Sequence, residues 1–322
     1  EKLRLLGDKS IIPEEKITRI YPQENLFSHI IGQIDRDNNG ISGLEKSYDY
    51  ELKKRKEPLK LTLDTDIQFL IREELIKFNS IFNSRGIAAI LMNVNNGEII
   101  SMVSYPDFDL NKRQKIDDKD YINRATKGVY ELGSVFKTFT IAAALEEELI
   151  EPQTKFLDLE KKLKCGKSVI SEYDDEIPSD LTVEEILIRS GNIGSVRIGQ
   201  KLEINKLKNF LNKIGVLNKI DFDIEEVGQP IPFRWGKCKL ATASFGHGIT
   251  TTLLQLAKGY SIITNGGFNI NPTLIKRKEK ESKNIRILNK HVSSKINPIL
   301  RKIVSTKEGT ANFANIEGFE VG

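Results

Sequence analysis

GVYELGSVFKTFTIAAALEEE, residues 128–148, carries a glycine-serine turn into a long apolar helix. Lys137 sits inside that helix among Val135, Phe136 and Phe139, where an unpaired ammonium is costly to bury. Ser134 stands three residues earlier, and residues three apart share a helix face, so hydroxyl and amine can meet. A serine hydroxyl is a weak nucleophile until a base takes its proton. A free lysine, with a pKa of about 10.4, is too protonated to serve, but an apolar setting penalises the charged form and makes a neutral amine available. Gly133 lets a substrate approach the backbone, and the helix start offers free N–H groups and a positive dipole end to a developing oxyanion. The same spacing also fits a helix N-terminus with a snorkelling lysine. About one Ser-x-x-Lys is expected by chance in a chain of this size, so both readings stand on local evidence.

A second element lies downstream. TVEEILIRS opens with a capping box, Thr182 answered by Glu185, and is followed by Ser190-Gly191-Asn192. This order places a hydroxyl and a carboxamide at a turn between helices. There the hydroxyl can relay a proton to a leaving amine and the carboxamide can hold a substrate amide. Ser282-Lys283-Asn284 has the same spacing, but lies in a charged stretch and reads as surface.

Upstream, GIAAILMNVNNGEIISMVSYP places two apolar runs around Asn95-Asn96-Gly97, a hairpin signal. It predicts antiparallel strands over Ala88–Val94 and Glu98–Ser104. LKLTLDTDIQFLIREELIKF shifts from alternation at Leu59, Leu61 and Leu63 to helical spacing at Ile67, Leu70, Ile71, Glu74 and Leu75, which predicts a strand leading into an amphipathic helix. Later helices are expected near Asn205–Ile214, stopped by Gly215, and over Leu253–Thr264 and Val292–Val304. Helix, hairpin and a block of helices predict an α+β domain. The turn-rich start and the charged Lys53–Pro58 run suggest a boundary, with a small module over 1–58 and the main domain over 59–322.

The chain has 322 residues, with 49 Lys and Arg against 45 Asp and Glu, a net charge of +4. That balance, with short basic runs lacking interleaved aromatics, gives no argument for nucleic acid. The histidines His29, His247 and His291 are scattered, and the cysteines Cys165 and Cys238 are 73 positions apart, so the sequence offers no metal-binding pattern and implies no cofactor. Whether the cysteines are bridged is open from the sequence. His247, between glycines, reads as part of a tight turn beside the sheet and Trp235 as packing; Cys238 is assigned no role. No apolar run reaches membrane-spanning length.

The Ser-x-x-Lys then Ser-x-Asn order, at Ser134, Lys137, Ser190 and Asn192, resembles the penicillin-binding proteins, specifically the class B peptidoglycan transpeptidases. The likeness runs over nearly the whole chain. RIYPQENLFSHIIGQIDRDNNGISGLEKSYDYEL is similar to the segment joining that family's N-terminal module to its catalytic domain. ATASFGHGITTTLLQLAKGYSIITNGG is similar to the stretch preceding its third motif. The details look closest to the division-specific septal transpeptidase, with the elongation-specific relative next. The resemblance implies an antiparallel sheet flanked by helices plus an all-helical lobe. It makes Ser134 the acyl-enzyme nucleophile, Lys137 its base, Ser190 the proton shuttle and Asn192 a holder of the donor peptide. The implied substrates are D-Ala-D-Ala stem peptides and an acceptor amine, with β-lactams as covalent mimics. The implied partners are a membrane glycosyltransferase and division proteins, and the implied place is the inner membrane, with the catalytic domain in the periplasm and the anchor outside this chain.

The sequence departs from the family pattern in one respect: no Lys-Thr-Gly or Lys-Ser-Gly occurs. We expect that motif beyond EGTANFANIEGFEVG, and expect an incomplete sheet and weak activity from this stretch alone. The alternatives are a serine β-lactamase or β-lactam sensor and a silent scaffold in a division complex. Against the class A lactamases, no Glu-x-x-Leu-Asn segment is present.

Overall fold

Asn95-Asn96-Gly97 closes an antiparallel hairpin of β1 (Ile87–Met92) and β2 (Ile99–Tyr105), with Ile90 opposite Met102. Gly97 has φ +78°, a left-handed conformation that glycine adopts without a Cβ penalty. The turn is wider than a two-residue one, because Asn93 N–H donates to Glu98 O and the register slips between Leu91 and Met92. The computed structural model describes residue 10 and residues 18–112, 117–277 and 285–322. Ser282-Lys283-Asn284 lies outside the described residues.

Short helices α1 (Ser28–Ile31), α2 (Gly43–Ser47) and α3 (Asp49–Lys54) precede α4 (Thr65–Phe82). The expected strand at Leu59–Leu63 is instead an isolated bridge, Leu61 to Ile275. Helix α4 starts where Asp64 caps the N–H groups of Asp66 and Ile67. It lies on β2, with Gln68 as its buried residue; Leu70, one of the residues at helical apolar spacing, is exposed along with Phe69, Phe78, Ile81 and Phe82. Ile30 and Leu44 from the first 58 residues share an apolar cluster with Ile99 and Met102 of β2 and with Leu254 and Leu274.

After α5 (Asp118–Tyr121) the chain enters the helical lobe through α6 (Phe136–Glu146), whose residues Phe136 to Leu145 are all buried. Two small strands, β3 (Lys155–Phe156) and β6 (Leu181–Thr182), pair antiparallel and enclose a hairpin of β4 (Lys162–Cys165) and β5 (Ser168–Ser171). Then come α7 (Val183–Ile188), α8 (Asn192–Lys213), α9 (Lys237–Ala243), α10 (Leu253–Thr264) and α11 (Lys290–Ser305). The helix predicted near Asn205 is the second half of α8, which breaks at Glu203, φ +64°. The capping box at Thr182 and Glu185 forms as expected, and Thr252 with Gln255 makes another. Phe139, Ile186, Ile193, Ile198 and Ile296 sit in one core shared by these helices. The architecture is α+β. Cys165 and Cys238 are joined by a disulfide, which ties the β4–β5 hairpin to α9.

Candidate active site

Gly133 makes the bend on which the site is built. Its φ is +64°, and the next residues form a 3-10 turn, Gly133–Val135, that hands over to α6. Ser134 is therefore on the tight turn ahead of the α-helix, where its side chain is exposed. Behind the turn, Gly246 presses on Gly133: a Cβ on Gly246 would fall 1.9 Å from the Gly133 carbonyl oxygen. In front, the Cβ position of Gly133 meets nothing within 4 Å, so the approach to Ser134 is open. Tyr260 of α10 holds the turn from the side, its hydroxyl 2.9 Å from Val135 O and 3.0 Å from Thr138 Oγ1. Burial pushes the Tyr260 phenol up to about 12, so it remains a neutral hydroxyl at physiological pH.

Lys137, on the first turn of α6, is fully buried. Desolvation lowers its pKa to about 8, with the Glu172 carboxylate opposing. The amine does not bond Ser134, as the spacing had suggested. It donates to Ser190 Oγ at 2.8 Å and to the Ser190 carbonyl. The geometry thus joins the amine to the second hydroxyl, and leaves the Ser134 hydroxyl at the open mouth.

Ser190 occupies the joint between α7 and α8 with φ +55°, left-handed for a residue with a Cβ. Such a conformation costs on the order of 1–3 kcal/mol and persists where its surroundings impose it. Here they do. Asn192 Nδ2 donates to Ser171 O at 2.9 Å, and the Asn192 and Ile193 N–H groups donate to the two Glu172 oxygens at 2.6 and 2.9 Å. The Tyr173 hydroxyl donates to Arg189 O at 3.0 Å. Neither Glu172 nor Tyr260 carries a signal in the sequence: Glu172 lies in SEYDDE, a polar run that reads as solvated surface, and only the hairpin brings it to α8.

Of the other residues singled out in the sequence, His247 lies in a turn between Gly246 and Gly248, φ +84° and +69°. Its Nδ1 is 3.4 Å from Glu131 Oε2 and its side chain is exposed. Trp235 is half-buried and packs against Phe233 at 4.8 Å between ring centroids. Among the described residues no group of three or more His, Cys, Asp or Glu is placed to hold a metal ion, and no helix is long and apolar enough to cross a membrane. Together the site presents an accessible hydroxyl, a desolvated amine, a second hydroxyl bonded to that amine, and a clamped carboxamide. Groups of these kinds are the ones that acyl transfer through a serine ester uses.

Residues 87–322 match the family model for the penicillin binding protein transpeptidase domain. The chain is 30% identical over 325 residues to a probable peptidoglycan D,D-transpeptidase FtsI of Caulobacter vibrioides, covering 98% of this chain and 55% of that protein. It is 29% identical to the stage V sporulation protein D of Bacillus subtilis, covering 100% of this chain and 56% of that protein. The chain thus spans a little over half the length of these relatives. Among solved structures, apo penicillin binding protein 3 of Mycobacterium tuberculosis superposes with a TM-score of 0.82 at 24% identity, over 94% of this chain and 74% of that one. A second structure of that protein, with ampicillin, also gives 0.82.

Proposed function

The chain belongs to the class B penicillin-binding protein transpeptidase family, and on that premise we propose that it is the serine acyl-transfer unit of a peptidoglycan D,D-transpeptidase. Ser134 Oγ attacks the penultimate D-alanine carbonyl of a stem peptide while the neutral Lys137 amine takes its proton. The Ser134 N–H, at the start of the helical turn, serves the developing oxyanion, a contribution of about 3 kcal/mol per donor in such sites. Collapse of the tetrahedral adduct breaks the terminal peptide bond. The departing D-alanine nitrogen receives a proton through Ser190, which Lys137 already contacts. An amine of a neighbouring stem then attacks the ester, restoring the Ser134 hydroxyl and forming the cross-link. Asn192 holds the donor peptide's amide. The hydrogen bond from the buried Lys137 amine to Ser190 Oγ carries this reading, because it couples the base to the group that delivers the leaving-group proton.

A septal role is the finer reading, favoured by the FtsI relative, with elongation as the alternative. In this reading residues 59–322 are the catalytic domain and residues 1–58 end a preceding module. The protein is held at the inner membrane facing the periplasm, beside a glycan polymerase and division proteins. Covalent labelling of the intact protein with a fluorescent penicillin tests the chemistry. The label is expected on the parent and lost in Ser134→Ala. Labelling that survives Ser134→Ala sinks the assignment, and rapid loss of label from the parent favours a β-lactamase instead.

A further inference from the structure

The last residue of β5 and the two that follow it grip the joint that presents Ser190 and Asn192. The Ser171 carbonyl takes the Asn192 side-chain amide, Glu172 takes the first two N–H groups of α8, and the Tyr173 hydroxyl reaches the last carbonyl before Ser190. The middle contact differs in kind from the other two. A half-buried carboxylate that accepts two backbone N–H groups at a helix N-terminus combines charge-assisted hydrogen bonds with a favourable dipole interaction. The turn that Glu172 clamps is also the one whose Ser190 hydroxyl and carbonyl accept from the buried Lys137 amine, and the carboxylate opposes the loss of charge on that amine.

We propose that Glu172 is a positioning residue of the acylation site: its carboxylate fixes the start of α8, and so the Ser190–Asn192 turn, and at the same time acts as the counter-charge to the Lys137 amine. The proposal rests on the assignment of Lys137 as base and goes beyond it by adding the group that sets the base's working range.

The surroundings of Lys137 leave this part to Glu172. Within α6 its neighbours are the apolar Phe136 and Phe139. The α7–α8 turn brings the Ser190 hydroxyl and carbonyl, which are uncharged. On α10, Tyr260 is bonded to Thr138 and Val135 and stays protonated. On α11, Lys302 is paired with Glu184, and on α9, Lys239 is bonded to the Gly248 carbonyl. Desolvation favours the neutral amine and the carboxylate favours the ammonium, so the balance between them fixes the pH at which the base becomes available. A clamp without charge would hold the turn less firmly and leave the base to desolvation alone.

The test measures two things on the intact protein. The rate of Ser134 labelling by a fluorescent penicillin is followed from pH 6 to 10, and the Lys137 titration is followed directly by NMR of lysine-labelled protein. Glu172→Gln keeps one acceptor and removes the charge. It is expected to slow labelling about tenfold at the plateau through the loosened turn, and to move both the rising limb and the Lys137 titration down by about half a pH unit or more. Tyr173→Phe removes an uncharged contact of the same clamp, and is expected to slow labelling with both midpoints in place. A Lys137 titration that does not move in Glu172→Gln overturns the proposal, whatever happens to the rate. If Glu172→Gln does not fold, Glu172→Asp decides: it keeps the charge with a shorter reach, so a full-rate, unshifted variant overturns the positioning role. A parent that labels nowhere on Ser134 defeats the reading of the active site instead, and the NMR titration still reports on Glu172.

Discussion

At Lys137 two demands collide. Burial among Phe136, Phe139 and the α7–α8 turn favours the neutral amine that the proposed reaction needs, and the same burial penalises the ammonium in the folded state. Its pKa is lowered to about 8 from 10.5, so the folded protein binds fewer protons than the unfolded chain between those values. Stability therefore rises with pH through that window, and the penalty is fully present below about pH 8. Acylation follows the neutral amine: labelling of Ser134 should climb with pH and level off above about 8, which a stopped-flow pH series checks. Lys137→Met should abolish labelling and yet raise stability at pH 7 by about 1–3 kcal/mol, a gain that shrinks toward pH 10.5. Urea melts at pH 7 and pH 10 measure it, and equal changes at both would refute the burial argument.

Among the elements, the β4–β5 hairpin has a larger role than its size suggests. It lies on the surface, most of its residues exposed, and yet its last residue and the two that follow hold the Ser190–Asn192 joint. The Cys165–Cys238 disulfide fastens it to α9, which leads into the Ser244–Gly248 stretch packed behind Gly133. Both walls of the site are thus tied through one covalent link. Replacing both cysteines with alanine should cost on the order of 4 kcal/mol of stability for a loop of this length. It should also slow Ser134 labelling several-fold, because the clamp loses its anchor. Calorimetry and labelling under matched conditions check this; an unchanged rate in a folded double variant would detach the hairpin from the chemistry. Phe139 tests the other wall: fully buried and edge-on to Phe136 and Tyr260, it should cost about 3–5 kcal/mol as Phe139→Ala.

Over the whole molecule, buried and half-buried polar groups tie the first 58 residues to α4, to the β1–β2 hairpin and to the segments around Asp223 and Thr273. Gln68 on α4 accepts from Ser101 Oγ and Met102 N and donates to Leu26 O and Met102 O. Asp223 accepts from the Tyr48 hydroxyl, Thr273 Oγ1 and Leu274 N. Gln68→Ala should therefore destabilise by about 2–4 kcal/mol, since several buried partners lose their bonds together; a change under 1 kcal/mol in a denaturant melt would show that water replaces them. The sequence by itself determined the local elements that rest on local physics: the hairpin from its Asn-Gly turn, α7 from its capping box, the apolar α6, and the two motifs that bear Ser134, Lys137, Ser190 and Asn192. It missed what depends on distant partners. The Leu59–Leu63 alternation looks like a strand but finds only a bridge to Ile275, and Leu70 sits at a helical apolar position yet faces outward. The disulfide, the left-handed Ser190 and the Glu172 contact were likewise decided by tertiary structure. Each needs segments many residues apart to meet at hydrogen-bonding or bonding distance, and neither periodicity nor spacing along the chain encodes that meeting.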